Sequence, residues 1–176
     1  MWLELADIHG ARAVVDRTYE ADRFPDADEE YRVRGAVRLV CEVEKAEVRV
    51  RLVGRVTAML ELTCSRCLEP LPWPIDAAFD LTYLPQAQNV GEGEIEVEED
   101  DLATAFYEGE TIDLGQLMRE QFYLSLPMKP LCRPSCAGLC PECGANLNAV
   151  RCACRHEWED PRLAALRRLL ADRPGS

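Results

Sequence analysis

The chain has 176 residues, 48% of them apolar, which is enough for a folded core and excludes a wholly disordered chain. Its formal charge of −12 is uneven: residues 1–127 hold 12 basic and 27 acidic groups (−15), and residues 128–176 hold 8 and 5 (+3). An acidic body disfavours broad binding of phosphate backbones, and the weak positive balance of the C-terminal part is a small footprint for nucleic acid. No apolar run approaches the ~20 residues of a membrane helix. Acids at Glu4 and Asp7 stand where a secretory leader would be basic. A soluble, cytoplasmic protein with no membrane part is predicted.

Along the chain, Leu3, Leu5 and Ile8 are placed to start a strand, and Asp22 to Glu30 is polar and reads as a loop. From residue 31 to 84 the pattern is that of antiparallel sheet. Val37, Leu39, Cys41 and Val43 alternate with charged neighbours. Val48, Val50, Leu52, Val56, Ala58, Leu60, Leu62 and Cys64 then share one parity. This period of two marks strands with one wet face. The second run is too long for one flat strand, so a bulge or bend is predicted at Gly54. A third strand carries Ile75, Ala77, Phe79, Leu81 and Tyr83, and Pro70, Pro72 and Pro74 are assigned to the connection before it.

Residues 85–113 contain ten acids and no Lys or Arg, with a short strand expected at Ile95 and Val97. This stretch reads either as a solvated excursion or as a dock for a basic partner. Asp113-Leu-Gly-Gln116 has the form of a capping box opening a helix. Leu114, Leu117, Met118 and Phe122 give that helix an apolar stripe, and Pro127 stops it. A last helix is predicted from Asp160, with Pro161 at its first turn and Leu163, Leu166, Leu169 and Leu170 on one face.

Nine cysteines are many for a protein without an export signal, which points to metal or thiol chemistry rather than disulfides. The main motif is Cys132-x3-Cys136-x3-Cys140-x2-Cys143, followed by Cys152-x-Cys154. Zinc takes four ligands tetrahedrally, with thiolates at ~2.3 Å, and short loops let such thiolates converge. In Cys140-Pro-Glu-Cys143-Gly144 the proline stiffens the turn. Gly144 can take positive φ, so that backbone N–H groups point back at the sulfurs. A structural zinc is therefore predicted. The residues alone leave two ligand sets open: Cys132, Cys136, Cys140 and Cys143, or Cys140, Cys143, Cys152 and Cys154.

Cys64-Ser-Arg-Cys67 is a second C-x2-C at the end of a strand. The Leu-Glu-Pro-Leu-Pro-Trp-Pro that follows is incompatible with the helix a thioredoxin-like motif needs. It reads as a hairpin feature or as part of a second metal site, with Cys152 and Cys154 considered as its partners. Cys41 has core parity and reads as an apolar filler. Only two histidines are present, His9 and His156, and neither a nucleophile–His–Asp set nor a phosphate-binding loop is visible. A non-enzyme without a small-molecule substrate is predicted.

The segments Thr63-Cys-Ser-Arg-Cys-Leu-Glu69, Leu126-Pro-Met-Lys-Pro-Leu-Cys132 with its continuation Cys136-Ala-Gly-Leu-Cys-Pro-Glu-Cys-Gly-Ala-Asn-Leu-Asn148, and Asp160-Pro-Arg-Leu-Ala-Ala-Leu166 resemble the YceD family, the large ribosomal RNA subunit accumulation proteins. The resemblance runs from about residue 35 to 170. It implies a non-catalytic ribosome biogenesis factor needed for accumulation of the large-subunit (23S) rRNA, with a large-subunit ribosomal protein or a pre-rRNA complex as partner. It makes a small zinc-ribbon ribosomal protein a partner candidate. Because some relatives keep the first four cysteines and lack the last pair, it also favours Cys132, Cys136, Cys140 and Cys143 as ligands, with Cys152 and Cys154 as alternates; it leaves open whether Cys64 and Cys67 are a hairpin feature or part of a second site.

The expected architecture is α+β. Residues 1–127 form a curled antiparallel sheet body with the acidic excursion and one helix, and residues 128–176 form a cysteine-rich zinc module with a C-terminal helix. The acidic 92–113 stretch would face a basic protein. Lys129, Arg133, Arg151 and Arg155 would mark an RNA-facing side. A zinc-ribbon nucleic-acid-binding regulator is the alternative, and a thiol or metal enzyme a further one.

Overall fold

The computed structural model describes residues 1–24, 30–86 and 104–154. They fall into two compact units, one drawn from Met1–Ser65 and Glu69–Cys132, the other from Arg66–Leu68 and Arg133–Ser176.

The first unit is mostly sheet with one helix. Its strands are β1 (Trp2–Glu4), β2 (Arg12–Tyr19), β3 (Tyr31–Ala46), β4 (Arg49–Thr63), β5 (Pro70–Pro85), β6 (Thr104–Tyr107) and β7 (Thr111–Asp113), followed by α1 (Leu114–Ser125). Five strands form one sheet in the order β2-β3-β4-β5-β6, and β1 pairs with β7 in a separate two-stranded sheet. Strands β2 to β5 are antiparallel neighbours. β6 joins β5 in parallel, so the sheet is not wholly antiparallel. The expectation of several packed helices is corrected to one α-helix among the described residues. The segment with Ile95 and Val97, most of the Asp22–Glu30 loop and the helix expected from Asp160 lie outside the described residues.

The period-two pattern decides which face is dry. Val37, Leu39, Cys41 and Val43 of β3 and Val50, Leu52, Val56, Leu60 and Leu62 of β4 are all buried, as are Ile75, Phe79 and Tyr83 of β5. Burial pushes the Cys41 thiol up to about 11, as suits an apolar filler. The opposite face is wet and holds opposite charges across neighbouring strands: Arg38 on Asp16, Arg34 on Glu61, Arg51 on Asp80 and Arg55 on Asp76. These exposed pairs set register more than they stabilise.

Two expectations about β4 and β5 are overturned. Pairing through Gly54 is regular, opposite Cys41 on one side and Phe79 on the other, and the register shift falls in β3 between Arg34 and Arg38, around Gly35. Gly54 is needed for a different reason. A Cβ there would lie 2.3 Å from the Val40 carbonyl oxygen and 2.4 Å from Cys41 Cβ, so the two strands approach too closely for any side chain. Gly54→Ala is expected to cost about 1–3 kcal/mol as an overpacked site, read by urea unfolding; an unchanged midpoint would contradict this account of Gly54. The prolines at 70, 72 and 74 belong to β5 rather than to a connection, opposite Thr63, Glu61 and Met59. They are tolerated because β6 covers β5 only from Thr82 to Pro85, leaving this half of β5 an edge where a missing N–H does no harm.

α1 buries Leu114, Leu117, Met118 and Phe122, the predicted stripe, in the same core as the strand residues. The Asp113 carboxylate accepts from the N–H groups of Gly115 at 2.8 Å and Gln116 at 3.3 Å. Only half of the capping box forms, because the Gln116 amide donates forward to Glu120 instead of back to the cap. The strand expected at Leu3 is β1, which ends at Glu4 before Leu5, while β2 was not legible. Of β2, only Val15 is buried, and Val14 is 71% exposed, so its alternation is faint.

In the second unit the described backbone is held by short-range bonds and by one from Leu139 N–H to the Arg66 carbonyl at 3.1 Å. Leu139 and Asn146 form an antiparallel bridge, Cys140 N–H donates to the Ala145 carbonyl at 2.8 Å, Gly144 N–H to Cys140 at 2.8 Å and Leu147 N–H to Gly138 at 2.9 Å. This small hairpin presents the Cys140–Cys143 turn.

Candidate metal centres

All nine cysteines are free thiols. Eight gather in two groups of four, Cys64 with Cys67, Cys132 and Cys136, and Cys140 with Cys143, Cys152 and Cys154, and within each group all sulfurs lie within 4.8 Å of one another. Cys132, Cys136, Cys140 and Cys143, placed together by the sequence reading, are thus divided between the two groups. Cys152 and Cys154 stand with Cys140 and Cys143, and the partners of Cys64 and Cys67 are Cys132 and Cys136 rather than Cys152 and Cys154.

The Cys140 group is built by the hairpin. Pro141 and Gly144 bracket the turn, and Gly144 takes φ 71°, a left-handed conformation that favours glycine. The N–H groups of Cys143 and Glu142 reach the Cys140 sulfur. Cys152 then arrives with its sulfur 3.4 Å from that of Cys140 and 3.5 Å from that of Cys143. Cys154 N–H donates to Cys152 Sγ at 3.3 Å. These separations are far from the ~2.05 Å of a disulfide. They approach the ~3.8 Å between thiolates of a tetrahedral zinc with ~2.3 Å bonds. Four soft donors in a tetrahedron suit zinc, with an iron–sulfur centre the other chemistry of such a set. When bound, the metal would supply folding energy and a closed four-thiolate shell.

The electrostatics of this group favour a cation. The hydrogen bond from Cys143 N–H, foremost, lowers the Cys140 thiol to about 6 and favours its thiolate form. Its neighbours then resist ionising: Cys143 is pushed up, and Cys154 is pushed up to about 12 by its closeness to Cys152 and Cys143. A dication resolves the conflict by displacing the remaining protons. Zinc uptake is therefore expected to release protons, and affinity is expected to fall as pH falls, because protons compete for the sulfurs. Calorimetry in buffers of different ionisation enthalpy measures the release; zinc binding that is indifferent to buffer and pH would contradict it.

In the other group Cys64, Cys67 and Cys136 are buried and Cys132 is exposed. Cys64 ends β4, its N–H bonded to the Glu69 carbonyl at 2.9 Å, and Cys132 N–H donates to Cys64 Sγ at 3.4 Å. The Cys64–Cys67 turn joins two strands, so no helix N-terminus is there to activate a thiol. Arg66 donates to the carbonyl of Cys136 at 2.8 Å.

Two residues without a role in the sequence reading support Cys136. Asn148 Nδ2 donates to Cys136 Sγ at 3.3 Å, while its Oδ1 accepts from Ala137 N–H at 2.9 Å and Arg133 at 2.7 Å. Asn146 Oδ1 accepts from Asn148 N–H and Nδ2. The signal was the Asn-x-Asn directly after the knuckle. Asn148→Ala is expected to lower zinc affinity about 10–100-fold, as loss of a partner that orients a ligand does. Competition with a chromogenic chelator would read the change, and an unaltered affinity would remove Asn148 from the site. Arg133, taken as an RNA-facing residue, spends its guanidinium on Asn148. Arg155 and His156 lie outside the described residues.

The model of the family described as large ribosomal RNA subunit accumulation protein YceD matches residues 52–170, a span that contains all eight grouped cysteines. The chain belongs to the YceD family. An uncharacterized protein of Mycobacterium tuberculosis is 39% identical over 128 residues, 73% of this chain and 59% of that protein. The maize large ribosomal RNA subunit accumulation protein YCED homolog 1, chloroplastic, is 33% identical over 174 residues, 85% of this chain and 55% of that one. An uncharacterized protein of Bacillus subtilis is 24% identical and is matched over 89% of its length. This YceD-family chain thus spans less than two thirds of the length of the mycobacterial and maize relatives. No solved structure matches it. Among its described residues, no helix is long and apolar enough to cross a membrane.

Proposed function

We propose that this chain is a non-catalytic cytoplasmic ribosome biogenesis factor, needed for accumulation of the large-subunit (23S) rRNA, that holds structural zinc on its grouped thiolates and acts by binding a basic large-subunit ribosomal protein. The observation that carries the reading is the pair of plant relatives, in maize and Arabidopsis thaliana, that are named for large ribosomal RNA subunit accumulation. The metal part is supported by donor chemistry: two sets of four sulfurs, each sufficient to close a tetrahedral shell and leave no position for a substrate. In this reading the stretch from residue 128 onward is the metal-binding module, with Cys64 and Cys67 contributed from the β4–β5 turn.

Charge favours a protein over RNA as the direct partner. The chain stands at −12, and a zinc with four thiolates adds further negative charge at each group. A phosphate backbone would be repelled, and a basic ribosomal protein attracted. Deleting the gene and comparing precursor and mature 23S rRNA tests the reading. Reduced mature 23S rRNA is expected, restored by the wild-type chain and not by Cys140→Ser; unchanged large-subunit levels would overturn it.

A further inference from the structure

The first unit carries a cleft beside β6, the β6–β7 turn and the start of α1. The rings of Trp2, Phe106 and Tyr107 and the side chains of Glu108, Asp113 and Glu120 line it, and among the described residues no Lys or Arg does. Trp2 is 59% exposed and Phe106 39%, a large aromatic surface for solvent to cover. Asp113 is engaged, capping α1 and lying 3.4 Å from the Met1 ammonium. Glu120 accepts only a neutral amide, that of Gln116. Glu108 carries no ion pair among the described residues.

This contrasts with the wet face of the sheet, where Arg34, Arg38, Arg51 and Arg55 each meet a carboxylate. The sequence from 87 to 103 holds seven acids and no Lys or Arg. The negative field reaches the cleft floor: burial first, then the charges of Glu120 and Asp113, push the Tyr83 hydroxyl up.

We propose that this cleft receives a basic segment of a partner protein, an Arg or Lys head seated among Trp2, Phe106 and Tyr107 and paired with Glu108 and Glu120. Ring faces attract a cation that carboxylates also neutralise, and the two effects reinforce each other where water is partly excluded. The cations nearby are already engaged, the Met1 ammonium on Asp113 and Arg17 on the Trp2 carbonyl at 3.0 Å, so Glu108 and Glu120 disfavour a phosphate or a nucleic acid there. The inference deepens the proposed function and rests on it solely for the partner being ribosomal; the cleft's preference for a cation stands on the lining alone.

The test uses the full zinc-loaded chain with labelled amides, titrated with a short peptide alternating Arg and Gly, with its Glu-Gly counterpart, and with a short single-stranded RNA. The Arg peptide is expected to shift resonances of Trp2, Phe106, Tyr107 and β6, and the other two probes to leave them in place. The double variant Glu108→Gln, Glu120→Gln should weaken the Arg peptide about tenfold, the loss of two exposed ion pairs. It should unfold at the same temperature as the wild type, and Trp2→Ala should weaken the peptide as well. Equal affinity in the double variant, shifts confined to the ion pairs of the sheet face, no binding, or tighter binding of RNA in the cleft would each overturn the proposal. Peptide binding at the cleft with unchanged 23S rRNA on deletion would uphold the cleft and reject the ribosomal reading; reduced 23S rRNA restored by a variant that binds no peptide would do the reverse.

Discussion

Stripping zinc from the reduced chain is expected to unfold residues 133–154 and leave the sheet of the first unit in place. The reason is what the second unit lacks. None of the described residues from 133 to 154 belongs to the hydrophobic core, and the buried apolar side chains there are those of Cys136 and Cys140 themselves. A handful of backbone bonds and two asparagines cannot offset the conformational entropy of ordering that many residues, at about 1–2 kcal/mol each for the backbone. Structural zinc in small modules supplies on the order of 10 kcal/mol or more. Arg151 is exposed in this segment, so trypsin reports on it. Cleavage after Arg151 should be slow with zinc, fast after chelation under reducing conditions, and slow again when zinc is restored. The strand signal in circular dichroism should persist throughout. Equal resistance with and without metal would mean that the thiols are not what folds this stretch.

The second large effect is in the first unit. Phe122→Ala is expected to destabilise it by about 3–5 kcal/mol, the range for truncating a buried aromatic side chain. Phe122 is fully buried on α1. Its ring meets that of Phe24 at 5.7 Å, tilted 55°, and that of Tyr31 at 5.9 Å, edge-on at 84°. Removing it leaves a cavity between the helix and the strand that Tyr31 begins, and forfeits two aromatic contacts. Urea unfolding of the sheet signal measures the loss. A change below about 1 kcal/mol would mean that the site collapses around the smaller side chain and that α1 is not fastened there.

Much of the sheet was legible because alternation survives where one face is wet. From Val37 to Tyr83, the parity of apolar residues agrees with what is buried in the strands; Val48, expected on the dry face, instead lies in the β3–β4 turn and is 46% exposed. It failed where that contrast fades: β2 buries little besides Val15. The prolines of β5 misled because the rule against proline in strands does not hold on an edge, and edges are a property of the whole sheet rather than of a segment. Gly54 misled for a related reason, since a close approach of two backbones and a bulge both call for glycine. The parallel pairing of β6 with β5 has no local signature at all.

That the cysteines gather into sets able to hold a metal was legible, but their grouping was not. Spacing along the chain shows which thiols are neighbours in a turn, such as Cys140 and Cys143 or Cys64 and Cys67. It does not show which turn faces which, and that is decided by contacts far apart in sequence, such as Cys132 N–H on Cys64 Sγ and Ser65 N–H on the Pro130 carbonyl. The arrangement places two half-sites separated by more than sixty residues in one group.

Metal content per chain, measured by native mass spectrometry on protein purified without chelator and alongside Cys140→Ser and Cys64→Ser, tests this account most directly. Two zinc ions in the wild type and one in each variant are predicted. A chain that carries no metal while all nine thiols remain reduced would contradict it.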